Sequence, residues 1–448
     1  MSKTRRSWLG LAAVAALVGA YELRLQAADA PPRAANASGA ALESYTAPDG
    51  ETYFAMKLSP KVNPPKVDGH DVVVLFDTSA SQTGVYREKA LELLDALLAA
   101  LGAHDRVALS AVDLNAVPLT TSFVAADSPE MKKALVDLRR RVPLGSTDMG
   151  GAVGSAVARF AESGDAGHLR SVVYIGDGVT TARVMTTKNM QKLVDALVEA
   201  HASVSSYAIG PTLNQALLGA LANHTGGMLL VDDEDEKVLD PEAGQHMAAV
   251  ARSAVVWPTA IEYPASFNEF YPSRTPPLRF DRETIVLGKL AGPQAQGEVL
   301  HMTAEMAGRP IELNWKIQAD PPSDDYSYLA KVVETARQDG GISLPTVGVE
   351  GLAELRSLVN VGAEQMARLA HQALAAGNLD QAQTLVDEAK RLDPTNDLAA
   401  VVQNAVEKAA SRAPKPAKRP APEVAATAPP GEAPDGSLVD EVERKDRV

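Results

Sequence analysis

The sequence predicts an α/β protein: a doubly wound, mainly parallel sheet, followed by a small β unit and a C-terminal helical hairpin. Three observations carry this. Val72-Val73-Val74-Leu75-Phe76 is an unbroken apolar run of strand length, as expected of a parallel strand buried on both faces. Strand-like and helix-like stretches then alternate as far as residue 255, the grammar of helices packed on both sides of a parallel sheet. Beyond Pro258 the pattern changes to short alternating runs separated by Gly- and Pro-containing turns, and from Tyr326 to helical spacing.

The elements follow in order. Residues 51–58 alternate as a short strand. After the 72–76 strand, Leu91, Leu94, Leu98 and Leu101 recur at helical spacing within 88–101. Strands are expected at 106–112, 119–123, 171–175, 204–209 and 228–231, and helices at 128–140, 150–161, 187–202, 214–224 and 242–255. Strands of the small β unit are expected at 284–287, 298–304 and 311–316. Residues 326–359 read as helix interrupted at Gly340-Gly341 and Pro345, followed by helices at 363–376, 380–392 and 398–409. The resulting division is an export signal or anchor at 1–30, a linker at 31–50 and a strand segment at 51–66. The α/β domain covers 67–256, the small β domain 257–320, a helical connector 321–360, paired helices 361–410 and a disordered tail 411–448. The strand at 51–58 has no obvious mate in the α/β block, so it is expected to pair with the later β unit, which makes the α/β domain an insertion.

Composition narrows the function. The chain has 448 residues, a formal net charge of -14 and no cysteine. Counterion-release binding needs clustered Lys and Arg, so nucleic acid is not an expected partner. The absence of Cys excludes disulfides, thiolate metal sites and a cysteine nucleophile. Lys3, Arg5 and Arg6 precede an apolar run from Trp8 to Tyr21, the layout of an export signal, with cleavage after Ala30 or Ala20 or retention as an anchor. Thr4-Arg5-Arg6-Ser7-Trp8-Leu9 resembles a twin-arginine signal. An exported protein is expected, whether periplasmic, held in the cell envelope or secreted, with membrane contact only through an uncleaved N-terminal segment.

The chemistry gathers at the ends of buried strands. Asp77-Thr78-Ser79-Ala80-Ser81 follows the first one directly, and a spacing of two lets Asp77, Ser79 and Ser81 converge when the loop curls over the sheet edge. Gly145-Ser146-Thr147-Asp148 precedes a helix, and Ile175-Gly176-Asp177-Gly178 closes another buried strand. In this architecture ligands sit outside the carboxyl ends of the strands, where all three pieces fall. Mg²⁺ takes six oxygens at about 2.1 Å and keeps waters readily, so hydroxyls backed by carboxylates suit it, with Mn²⁺ as a substitute. Asp148 and Thr180 read as a solvated loop residue and a local turn former. His70, His104 and His168 read as surface histidines, which leaves Ser79 and Ser81 without a partner base and makes an enzyme unexpected.

These elements, in this order, resemble the von Willebrand factor A family, a Rossmann-like fold, and its metal-ion-dependent adhesion site, over about residues 71–256. The resemblance implies that Ser79, Ser81 and Thr147 bind the ion through their hydroxyls, while Asp77 and Asp177 act largely through water and hydrogen bonds. A protein ligand would then complete the shell with an Asp or Glu. Ala375 to Ala382, ending in Ala389, Leu392, Asp393-Pro394 and Asn396, resembles one tetratricopeptide repeat, a second surface for a partner. The expected function is therefore an extracytoplasmic protein-binding module with a Mg²⁺-occupied adhesion site. The alternative is a metal-independent scaffold of a cell-envelope complex.

Overall fold

The computed structural model describes residues 38–67, 69–164, 167–180, 182–232, 241–292 and 295–412. The export segment expected at 1–30 and the tail beyond 412 lie outside them. Among the described residues no helix is long and apolar enough to cross a membrane.

The chain opens with a hairpin of β1 (Ser38–Thr46) and β2 (Thr52–Leu58). Then come β3 (His70–Asp77), α1 (Val85–Ala100), β4 (Arg106–Val112), β5 (Ala116–Pro118), α2 (Pro129–Arg140), α3 (Met149–Glu162) and β6 (Leu169–Gly176). The α/β body is completed by α4 (Thr187–Glu199), β7 (Ala202–Ala208), α5 (Gln215–Thr225), β8 (Leu229–Val231) and α6 (Pro241–Ala251). Its six strands run in the order β5-β4-β3-β6-β7-β8, parallel except for the antiparallel edge strand β5.

Period-two alternation in β3 places Val72, Val74 and Phe76 on one face and Val73 and Leu75 on the other, and both faces are covered. The first set packs with Leu94 and Leu97 of α1, Met131 of α2 and Met247 of α6. The second meets Val153 and Phe160 of α3, Val194 of α4 and Leu218 of α5. Each fully buried side chain of this size contributes about 1.5–3 kcal/mol. That explains why this stretch shows no polar face in the sequence.

A second sheet has eight strands and the order β10-β12-β2-β1-β14-β13-β9-β11. It adds β9 (Val255–Glu262), β10 (Phe267–Tyr271), β11 (Leu278–Arg279), β12 (Thr284–Leu290), β13 (Val299–Met306) and β14 (Arg309–Ala319) to the opening hairpin. β2 pairs antiparallel with β12, and β1 pairs parallel with β14. The α/β body thus leaves and rejoins the chain between strands of one sheet. Phe54, Met56 and Leu58 face a core around Trp315, whereas Ala55, Ile285 and Leu287 face α7 (Tyr328–Asp339) and the start of α8 (Gly348–Ala375). The helices α9 (Leu379–Leu392) and α10 (Asp397–Arg412) then pack on the far part of α8.

Several elements differ from the sequence expectation. Residues 38–46, read as linker, form β1, because Ala40 and Leu42 point into the core while Glu43 pairs with Lys57 across the hairpin. The short strand expected at 119–123 is displaced to 116–118, since the Asp113–Asn115 turn folds the chain straight back onto β4. α8 runs unbroken through 360–361, where no Gly-Pro breaker interrupts it. His70 is buried rather than exposed. Its Nδ1 lies 2.7 Å from Asp105 Oδ1, and His168 Nδ1 lies 2.8 Å from Asp71 Oδ1. Strand registry causes this: neighbouring strand starts bring both histidines beside carboxylates at the edge opposite Asp77.

Candidate metal site

Three loops at the carboxyl edge of the parallel sheet bring Asp77, Ser79, Ser81, Thr147 and Asp177 into one hydrogen-bonded cluster. Asp77 closes β3. Its Oδ1 accepts from the Ser79 backbone N–H at 2.8 Å, a tight turn that swings the following serines back over the strand end. Ser79 Oγ and Ser81 Oγ are 3.0 Å apart, and Ser81 Oγ donates to Asp177 Oδ2 at 2.5 Å. Thr147 Oγ1 donates to Asp77 Oδ2 at 3.1 Å. All five belong to one network although they lie up to a hundred residues apart in sequence.

The loops are tied to one another by main-chain bonds. The Ala80 N–H donates to Gly145 O at 3.1 Å, and the Leu144 N–H donates to Thr78 O at 3.0 Å. Arg141 reaches both Thr78 Oγ1 at 3.2 Å and Asp113 Oδ2 at 2.6 Å, clamping the Thr147 loop against the end of β4. On the other side, the Asn214 N–H donates to Asp177 O at 2.8 Å, and Gln82 Nε2 donates to Ile209 O at 3.0 Å. Gly176 is required by contact: a Cβ there would come within 2.4 Å of Asp77 Cβ and 2.6 Å of the Tyr174 hydroxyl.

Residues beyond the five complete the cluster. Tyr174 of β6, fully buried, donates its hydroxyl to Asp77 Oδ2 at 2.6 Å and accepts from the Gly178 N–H at 3.2 Å. Burial and the neighbouring Asp77 charge push its pKa far up, so it remains a donor. In the sequence Tyr174 reads only as a core aromatic. The usable signal is that a buried tyrosine in an apolar strand needs a partner for its hydroxyl. Asp148, read from the sequence as a solvated loop residue, is nearly buried and caps α3 by accepting from the Gly151 N–H at 2.9 Å. Thr180 donates to Thr147 O at 3.2 Å, which joins the Asp177 loop to the Thr147 loop.

Electrostatics single out the carboxylates. Asp77 is 1% exposed and Asp177 is 2% exposed. Burial pushes the Asp77 carboxyl above its ordinary value against the hydrogen bonds from Tyr174 and Ser79, and the charge of Asp177 adds to the push. Among the described residues neither carboxylate has a Lys, Arg or His partner. Nor, among the described residues, do three or more Asp, Glu or His side chains gather as a carboxylate- or imidazole-rich metal cage. The donor set is instead hydroxyl-rich and all oxygen, with two carboxylates behind it. That chemistry fits a hard divalent cation, Mg²⁺ or Mn²⁺, and does not fit Zn²⁺.

Residues 70–230 match the family model described as von Willebrand factor type A domain. These residues form a von Willebrand factor type A domain. No curated protein matches the chain in sequence. Solved structures similar to it include a von Willebrand factor type A protein from Catenulispora acidiphila, at 15% identity and TM-score 0.42, covering 85% of this chain and 91% of that one. The ArnB paralog VWA2 from Sulfolobus acidocaldarius is similar at 13% identity and TM-score 0.39, covering 83% and 97%. Manganese-loaded TRAP protein from Plasmodium vivax is similar at 14% identity and TM-score 0.32, covering 45% and 76%. The five clustered residues all lie within the matched A domain.

Proposed function

We propose that the protein is an exported binding protein whose A domain holds Mg²⁺, or Mn²⁺ in its place, and captures an acidic side chain of a protein partner. The observation that carries this reading is the pair of nearly buried carboxylates, Asp77 and Asp177, joined through Ser79, Ser81 and Thr147 and lacking any basic partner among the described residues. Two like charges in a poorly solvated pocket are costly unless a cation neutralises them. Ser79, Ser81 and Thr147 would hold the ion through their hydroxyls, with Asp77 and Asp177 behind them. Because neutral hydroxyls dominate, the bound ion retains positive charge with which to attract a carboxylate.

Binding rather than catalysis is the reading because the hydroxyls answer to carboxylates and to each other, while the His70 and His168 pairs stand at the opposite edge of the sheet. The helices α8 to α10, which resemble a tetratricopeptide repeat in sequence, would offer a second contact surface, with Leu369 and Val401 exposed on it. Export follows from the basic and apolar segment at residues 3–21.

Thermal unfolding in EDTA and then in excess Mg²⁺ tests the metal. An ion present at a hundred times its dissociation constant stabilises by about 2.7 kcal/mol, so the wild-type unfolding temperature should rise by several degrees. Asp77→Ala should show no rise. Identical wild-type curves with and without Mg²⁺ would reject the metal. Partner capture that survives both EDTA and Asp77→Ala would favour the metal-independent scaffold.

A further inference from the structure

The strand β8 ends the parallel sheet and pairs with β7 alone. β7 takes Met228 O and the Asp232 N–H, and the alternation of a parallel ladder gives it the Leu230 groups as well, so Leu229 and Val231 turn their N–H and C=O groups away from the sheet. Among the described residues nothing bonds to those outward groups. An open strand edge is a template on which another chain can pair. Beside this edge lies a groove of about 420 Å³, lined also by residues 281–283, Pro345, Val347 and the first turns of α8. Leu229 packs against the core on one face of the sheet and Leu230 against the core on the other, yet both line the groove. The groove therefore meets β8 edge-on, where the unpaired groups are.

The lining is both apolar and acidic. Val231 is 43% exposed and Leu358 is 62% exposed, with Leu355 half-buried in the same groove. Glu350, Glu354 and Leu358, four residues apart, present one face of α8 to it, and Glu283 adds a carboxylate from the segment before β12. Asp281 is paired with Arg279, whereas Glu283, Glu350 and Glu354 have no ion-pair partner among the described residues. Arg282 brings a positive charge to the lining, but its guanidinium is buried and donates to the carbonyls of Ala222, Gly227 and Glu283. Nor, among the described residues, do the carboxylates converge as a metal cage. Separate cationic side chains on a partner answer them better than one bound ion does.

We infer that this groove is a docking site for an extended segment of a partner protein, which adds a strand to β8 through the main-chain groups of Leu229 and Val231 and sets Lys or Arg side chains against Glu283, Glu350 and Glu354. Apolar side chains between those cations cover Val231, Leu355 and Leu358. In strand addition the main-chain bonds supply affinity and the alternating side chains supply specificity, so an open edge and an acidic, apolar groove select for basic residues alternating with apolar ones. The net charge of -14 draws such a segment in from a distance. The docking needs no ion and stands independently of the metal reading.

Fluorescence anisotropy of the full-length protein with a labelled peptide Gly-Lys-Val-Lys-Val-Lys-Gly tests this. Three comparisons decide it: the same peptide with Glu in place of Lys, the same peptide with its central Lys N-methylated on the main chain, and the variant Glu350→Gln/Glu354→Gln. Both substituted positions are exposed, so the variant should keep the wild-type urea midpoint. The Lys peptide should bind, and the Glu peptide should not. N-methylation keeps every charge but blocks strand pairing, and should weaken binding at least tenfold. The variant should bind the Lys peptide at least fivefold more weakly than wild type does, and EDTA at matched ionic strength should change nothing. Equal affinity for the N-methylated peptide would reduce the binding to charge attraction and overturn the inference, as would equal affinity of variant and wild type, or no binding of the Lys peptide at millimolar concentration. Binding lost in EDTA would place the peptide at the metal rim instead and equally overturn it. A wild-type dimer that the Lys peptide dissociates would overturn the separate partner in favour of a second copy of this chain.

Discussion

Asp77 shows how much of the site is written locally and how much is not. Its own loop supplies the Ser79 N–H, a relation between neighbours that the Asp-x-Ser-x-Ser spacing announces. Thr147 and Asp177 come from distant loops but end or begin elements on one rim, so the order of strands and helices makes their meeting readable. Tyr174 and Arg141 were not readable. One looks like core packing and the other like the last turn of a helix, and only the assembled rim gives them partners. Tyr174→Phe should remove the 2.6 Å bond and leave Asp77 Oδ2 with Thr147 alone. A hydrogen bond to a charged group contributes about 1.5–3 kcal/mol, so urea unfolding in EDTA should show a loss in that range. A change under about 0.5 kcal/mol would mean that the tyrosine only fills space.

At the level of elements, strongly periodic pieces were legible and small-residue strands were not. The apolar run of β3 and the leucine spacing of α1 identify themselves, whereas β1 hides its alternation among Ala, Gly and Ser. α5 connects the site to the rest of the molecule. Asn214 at its N-cap binds Asp177 O, and at its other end Asn223 donates to Thr346 Oγ1 at 3.0 Å while His224 Nε2 lies 3.1 Å from Gly341 O. Gly340 permits that approach by closing α7 in the left-handed region, φ 71°. Burial pulls His224 down to about 4, against the hydrogen bonds to Gly341 and Ile342. The folded pKa lies below the unfolded value near 6.5, so the unfolded chain takes up this proton first. The neutral imidazole therefore costs nothing above pH 6.5, and stability is lost as pH falls from there towards 4, by roughly 3 kcal/mol in all. His224→Gln keeps a donor for Gly341 O but does not titrate. Its urea midpoint should fall less steeply than that of wild type between pH 7 and pH 4.5, and parallel pH profiles would rule out this role.

The whole molecule is held together by buried arginines, which composition gives no hint of. Arg279, 0% exposed, donates to Gly226 O at 3.0 Å and Val250 O at 3.3 Å while pairing with Asp281. Arg282 donates to Gly227 O at 3.0 Å and Ala222 O at 3.3 Å. Both belong to the second sheet's part of the chain, and every one of these acceptor carbonyls belongs to the α/β body, at the ends of α5 and α6. Helix-end carbonyls need partners, and here they find them in the neighbouring body rather than in water. The A domain is thus fixed to the second sheet, which gives residues 341–346 a stable surface on which to dock. Removing one member of such a buried set leaves the others unsatisfied, at a cost of about 3–5 kcal/mol. Trp257 stacks on His201 of the α/β body, whereas Trp315 is buried in the second sheet's own core, so in a Trp8→Phe/Trp257→Phe background fluorescence follows that sheet while far-ultraviolet circular dichroism follows chiefly the helices. The two signals should change together in urea for the background protein. Adding Arg279→Met should lower the midpoint and separate the two curves, because the A domain would then unfold apart from the sheet. Curves that stay superimposed at an unchanged midpoint would show that the apolar contacts alone hold the two bodies together.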